Sequence, residues 1–214
     1  SMKASSLVVG ESNAIKKLNR QVQQLAGSTR NVLIDGEPGV GKTTVARHIH
    51  MSGKSGGKPF ITLDAWLTPD EEIKAILFRD EMKRELELPA RQIPEIVDGS
   101  TLYIKEAEEM SFSNQSRIAR YLEGRKGRQK TRVIATMKEP LEKCFEAGML
   151  IEPLFKQLST FEKLSVPPLR ERPEDIPALA EHFTADTSRE LGVRVKTLDA
   201  NTLDFLAKFD WKDN

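Results

Sequence analysis

Apolar positions follow two alternating rhythms over most of the chain. Short segments rich in apolar residues at 31–35 (NVLID), 60–63, 102–104, 132–137 and 163–166 have the length of strands, and the most apolar of them the density expected of strands covered on both faces. Between them, apolar residues recur every three to four positions. Ile15, Leu18, Val22 and Leu25 form such a stripe behind a capping Ser12 and before a terminating Gly27. Val45, Ala46 and Ile49 form another within 42–51, and residues 70–87, 114–122 and 139–147 read as further helices. After Pro173 the rhythm changes: 174–191 and 199–209 are helical patterns with no strand between them. The predicted organisation is therefore an α/β core over residues 1–172, with a parallel sheet flanked by helices, and a partial helical lid over 173–214.

Composition narrows this picture. With 38% hydrophobic residues in 214, the chain can fill one sizeable core. A net charge of +1 gives no global pull toward nucleic acid or an anionic membrane. No apolar run approaches the ~18 residues of a membrane span, so no membrane partner is expected. The single cysteine, Cys144, excludes an internal disulfide and fits a reducing, cytoplasmic setting. The basic cluster at 125–132 lacks interleaved aromatics and reads as a solvated turn. Trp66 and Trp211 read as packing residues, and Glu108 and Glu109 as surface charges at a helix start. Ser1-Met2 reads as a remnant of expression, and the chain as part of a longer protein.

One segment carries specific chemistry. Gly36-Glu37-Pro38-Gly39-Val40-Gly41-Lys42-Thr43 fits G-x-x-x-x-G-K-[ST] at every position, after a predicted strand and before a predicted helix. Glycines let successive backbone N–H groups turn inward around a phosphate, and the helix N-terminus adds partial positive charge. Lys42 is expected on the outer phosphates and the Thr43 hydroxyl on Mg²⁺. Thr44 follows within the same helical turn. ATP or ADP is the expected ligand.

Beyond this loop the chain resembles the central AAA+ domain of sigma-54-dependent transcription activators, the bacterial enhancer-binding proteins. The likeness runs through Val9-Gly10-Glu11-Ser12, which in that family lies near the adenine. It continues in Val45-Ala46-Arg47-His48-Ile49-His50, Gly99-Ser100-Thr101-Leu102-Tyr103-Ile104 and Arg132-Val133-Ile134-Ala135. It is most specific in Pro168-Leu169-Arg170-Glu171-Arg172-Pro173-Glu174-Asp175-Ile176-Pro177. The final residues, Asp210-Trp211-Lys212-Asp213-Asn214, look like the start of the lid's last motif. The resemblance implies a P-loop AAA+ core with a helical lid.

The departures fall where that family does its chemistry. Its Walker B strand ends Asp-Glu; here the pair is Lys105-Glu106. A lysine there is hostile to Mg²⁺, and its expected partners are phosphate, Glu106 or solvent. Glu106 keeps the position of the water-polarising, catalytic carboxylate. Asp64 stands at the switch asparagine, where it is expected to repel Glu106. Lys138 aligns with the sensor asparagine, and Ile151 and Gln157 align with two arginines that act in trans. The sigma-54-gripping loop has no counterpart in 78–85. The resemblance thus implies a degenerate, atypical member: a nucleotide-binding regulatory module of a bacterial transcription regulator, with weak or absent hydrolysis. Its implied partners are further copies through the AAA+ core, RNA polymerase or a sigma factor, and DNA through a domain outside these residues. Two alternatives remain open at this point, an active ATPase remodelling a transcription complex and a cyclic di-GMP-sensing module.

Overall fold

The computed structural model describes residues 8–78, 96, 99–124 and 131–214. Five strands form one parallel sheet in the order β2-β3-β4-β1-β5, with β1 at Val32–Asp35, β2 at Phe60–Asp64, β3 at Thr101–Lys105, β4 at Arg132–Met137 and β5 at Glu162–Ser165. Strand side chains alternate between faces, and membership of the two apolar clusters follows that period. Leu33, Leu102, Ile104, Val133 and Ala135 enter one apolar cluster, while Val32, Ile34, Tyr103 and Ile134 enter the other.

Helices α1 (Asn13–Ala26) and α2 (Lys42–Ser52) cover the second face with Ile15, Leu18, Val22, Val45 and Ile49. Helices α3 (Asp70–Leu77), α4 (Phe112–Gly124), α5 (Leu141–Glu146) and α6 (Glu152–Leu158) cover the first. Ser12 caps α1 by accepting from the Ile15 amide at 3.1 Å. Among the described residues the helical stretch expected over 70–87 ends at Leu77, and residues 79–87 lie outside them. Helix α5 begins two residues later than its pattern suggested, because Pro140 takes the N-cap position. Helix α6 had no predicted counterpart, although Pro153 in its first turn is a usable start signal.

Three other expectations fail on burial. Trp66 is 70% exposed, because it sits on the turn after β2 rather than in the core. Arg132 is not a solvated turn residue: it is buried, and its guanidinium donates to the carbonyls of Arg30 at 2.9 Å and Leu25 at 2.8 Å. Residues 125–130 of that basic cluster lie outside the described residues. Glu108 is only 5% exposed, on the short 3₁₀ turn Ala107–Glu109 after β3.

Past β5 the chain makes two 3₁₀ turns, Leu169–Glu171 and Pro173–Asp175, then helices α7 (Ile176–Glu190) and α8 (Ala200–Lys208). These turns are clipped to the core. The fully buried Asp175 carboxylate accepts from the Glu11 amide at 2.6 Å, the Ser12 amide at 2.7 Å and the Ser12 hydroxyl at 2.6 Å. A buried carboxylate is tolerable only when satisfied in this way. Replacing Asp175 with alanine strands two backbone donors at the start of α1. Asp175→Ala is expected to destabilise the domain by about 3 kcal/mol and lower Tm by roughly 6–12 °C, with the exposed neighbour change Glu174→Ala within about 0.5 kcal/mol of wild type. Thermal and urea unfolding of the two variants check this.

Candidate phosphate-binding site

In an open parallel sheet the carboxyl ends of the strands form the crest where ligands bind. The loop 36–43 leaves β1 at that crest, between β4 and β5. Gly36, Gly39 and Gly41 have φ of +148°, +81° and +101°, values that side chains disfavour. Space demands the glycine as well: a Cβ on Gly36 would lie 2.7 Å from the Val166 carbonyl. Gly41 then leads into α2, whose first turn carries no acidic side chain, leaving its amide end attractive to anions.

Lys42 is buried, and its Nζ folds back to donate to the carbonyls of Gly36 and, at 2.9 Å, Glu37. Burial holds its pKa below the ordinary lysine value, opposed by the nearby carboxylates of Glu106 and Glu108, while Lys138 pushes it further down. Thr43 Oγ1 is 2.9 Å from the buried Tyr103 hydroxyl, which lies 3.4 Å from Thr136 Oγ1. Thr136 Oγ1 in turn accepts from the Glu106 amide at 3.1 Å. Glu106 itself is held at φ 53° and ψ 62°, a left-handed conformation that a non-glycine residue adopts at a cost of order 1–3 kcal/mol. Thr44 is exposed on α2.

The three charged residues among those that break the family pattern are all ion-paired. Lys105 Nζ lies 2.7 Å from Asp64 Oδ2, across the ends of β3 and β2. Asp64 raises the Lys105 pKa. Burial alone would raise the Asp64 pKa, but the Lys105 ammonium and the amides of Trp66 and Leu67 outweigh it and leave the carboxyl below its usual range. The direct partner of Lys105 is thus Asp64, which was not among those expected from sequence, with Glu106 acting on it electrostatically and its side chain still 35% exposed, and Asp64 faces a cation rather than opposing Glu106. Lys138 Nζ lies 2.8 Å from Glu109 Oε1, and its amide donates to Glu108 Oε1 at 2.6 Å. The other Glu108 oxygen is buried without a hydrogen-bond partner, and burial raises that carboxyl's pKa. Ile151, the N-cap of α6, and Gln157, in its last turn, are half-buried and uncharged.

The far wall of the loop is the 169–175 segment. Arg170 makes a bidentate pair with Glu37, one arm at 2.7 Å, and holds the Glu37 carboxyl down at about 2, helped by Asn214. The buried Arg172 donates to the Val40 carbonyl at 3.2 Å. Asn214 donates to the Pro38 carbonyl at 3.0 Å and accepts from the Leu169 amide at 2.6 Å. Val9 and Gly10 enter on the same side. Gly10 runs so close to Asp175 that a Cβ would sit 2.6 Å from its carboxylate. The residues singled out by sequence thus gather on two sides of one loop: Lys105, Glu106 and Lys138 toward the sheet crest, Val9 and Gly10 toward the lid. Sequence reasoning took Glu108 and Glu109 for surface charges and gave no role to Tyr103, Arg170 and Arg172. The last two lay inside a motif already noticed, whereas nothing local marked Tyr103 as a partner of Thr43.

The residues present do not fit a Mg²⁺ ion. A cation occupies the end of β3, its neighbour Asp64 is committed to it, and Glu108 and Glu109 are engaged by Lys138.

Comparison with known proteins places this geometry. Residues 9–169 match the Sigma-54 interaction domain, and residues 170–214 match the AAA+ ATPase lid domain. The DNA-binding transcriptional regulator NtrC of Salmonella typhimurium is 34% identical over 97% of this chain and 46% of its own length. The C4-dicarboxylate transport transcriptional regulatory protein DctD of Pseudomonas aeruginosa is 32% identical over 97% of this chain and 45% of its own. The chain thus spans about half the length of the curated relatives it matches. Among solved structures, NtrX from Brucella abortus in complex with ATP is 28% identical with a TM-score of 0.80, covering 99% of this chain and 50% of that one. Its complex with ADP gives 26% identity and a TM-score of 0.81, covering 98% and 49%. With the motif, the sheet order and the lid segment in agreement, the chain belongs to the Sigma-54 interaction domain family of AAA+ proteins.

Proposed function

We propose that this domain is a nucleotide-binding regulatory module of a bacterial transcription regulator, one that holds ATP or ADP on the loop 36–43 and hydrolyses ATP slowly or not at all. The observation that carries this reading is the Lys105–Asp64 ion pair. In the resembled family those two positions order a metal ion and switch the catalytic glutamate; here they neutralise each other. The loop itself keeps the conformation and the helix N-terminus that hold phosphate, and a relative of the same fold, NtrX, is known with ATP and with ADP. Glu106 remains as the sole family carboxylate at the water-activating position, without a charged residue at 151 or 157 to act on a neighbouring subunit's phosphate.

In this reading nucleotide acts as a conformational ligand, stabilising the state that binds it. The module works in the cytoplasm. Its partners are further copies through the AAA+ core and RNA polymerase or a sigma factor, with DNA contacted by a domain outside these residues.

Calorimetric titration is expected to give micromolar binding of ATP and ADP, weakened at least about tenfold by Lys42→Ala, which removes roughly 1.4 kcal/mol or more. Phosphate release is expected to stay well below roughly 1 s⁻¹, the low end for working enzymes. Sustained, Lys42-dependent turnover at that rate overturns the reading.

The ion pair makes a separate prediction on stability. Lys105→Asp sets two carboxylates against each other and is expected to cost about 1–2 kcal/mol, allowing for the partial exposure of the lysine. Adding Asp64→Asn should recover most of that loss. Equal destabilisation by the single and double changes, measured by urea unfolding, would show that the two residues are not coupled.

A further inference from the structure

The misfit between this site and a metal ion points to a specific ligand. We propose that the site takes nucleoside triphosphate free of divalent metal, with the Lys138 ammonium leaving Glu109 to neutralise the terminal phosphate. The inference rests on the nucleotide-binding reading above and deepens it by naming the ionic form of the ligand and the side chain that selects it.

A triphosphate without metal needs another cation near its outer oxygens, and Lys42 supplies only one. Two further lysines stand at the crest, and the structure separates them. Lys105 is bonded to Asp64, which is 6% exposed and also holds the turn after β2 by accepting from the Trp66 amide at 3.0 Å. Withdrawing Lys105 would leave that buried carboxylate without its counter-ion, a costly state. Lys138 is under no such constraint. The two lysines are similarly exposed, 31% for Lys138 and 35% for Lys105, but the Glu109 side chain is 20% exposed against 9% for Asp64, so losing its lysine costs Glu109 less.

Lys138 is also the nearer cation to the phosphate loop in the sheet: it follows Met137, the partner of Asp35 at the end of β1, whereas Lys105 ends β3, which β4 separates from β1. The backbone of Lys138 is pinned, because its amide donates to the buried Glu108 carboxylate. The four-carbon stem can therefore swing while its root stays fixed at the end of β4. The groups facing the ammonium are Glu109, Glu106 and Glu108 from the turn after β3, together with the Trp66 ring, 6.0 Å away. Losing Glu109 for a more highly charged phosphate keeps the ammonium paired throughout.

The test is calorimetric titration of the intact domain with ATP and with ADP, in EDTA and in excess Mg²⁺, for wild type, Lys138→Asn and Lys138→Arg. Wild type is expected to bind ATP in EDTA within about threefold of its affinity in Mg²⁺, or more tightly. Lys138→Asn should weaken metal-free ATP by about tenfold or more and ADP by less than about threefold. Lys138→Arg, which keeps the charge, should stay within about threefold for both nucleotides. The ADP affinity reports that the loop in each variant is folded. A wild-type protein that needs Mg²⁺ for ATP, or a Lys138→Asn variant that loses ATP and ADP equally or loses neither, overturns the inference while leaving nucleotide binding intact. Binding of neither nucleotide by wild type in either buffer ends the nucleotide reading itself, and this inference with it.

Discussion

The ends of β2 and β3 are tied by one contact, the Lys105 ammonium against the Asp64 carboxylate at 2.7 Å, and the chemistry of the crest is organised around it. Either residue alone would be a defect. A lone lysine beside a phosphate loop repels a metal, and a lone aspartate with 6% exposure is a desolvated charge. Together they form a satisfied pair that also supports the turn carrying Trp66. The pair explains how two changes from the family pattern coexist in a folded domain. The change of Asp to Lys shifts the formal local charge by two units, the charge of the ion it displaces, and the change of Asn to Asp takes one back.

Much of the fold was legible because its signals are local. The near-continuous burial of β1, β3 and β4, with consecutive side chains entering opposite clusters, is what apolar runs of strand length announce. The phosphate loop was equally plain, since its glycines answer to φ values that few residues tolerate. What the sequence hid was pairing over distance. Asp64 and Lys105 are separated by 41 residues, and each looked like an isolated loss until β2 and β3 were seen in register. Arg132 looked like one more charge in a basic turn because its acceptors, the carbonyls of Leu25 and Arg30, belong to the far end of α1 and the loop after it. Glu108 read as a surface charge because nothing local announces that the Lys138 amide, 30 residues on, would need its oxygen.

The same distance effect governs the lid side of the site. Arg170, Arg172 and Asp175 belong to a motif visible in the sequence, but their targets do not follow from it. The structure sends them to three successive places: the Glu37 side chain, the Val40 carbonyl and the amides that open α1. Two of those targets lie within the phosphate loop itself. The loop is therefore bonded on one side to the sheet crest through Thr43 and Tyr103, and on the other to the segment that leads into α7 and α8.

A ligand can bias a conformational equilibrium only through a difference in its contacts with the two states. On the proposed reading, hydrolysis is not needed for such a bias. A phosphate on the loop would compete with the Gly36 and Glu37 carbonyls for Lys42, since both now accept from its ammonium. Glu37 is the residue that Arg170 and Asn214 hold, so a rearrangement of its backbone is felt by the lid without passing through a metal or a catalytic step. On that reading, the arrangement that would make this site a poor ATPase leaves the mechanical link whole. The proposed loss of metal chemistry and the retention of the lid contacts would then be separable properties of one loop, which is the physical condition for a AAA+ domain to act as a nucleotide-dependent switch.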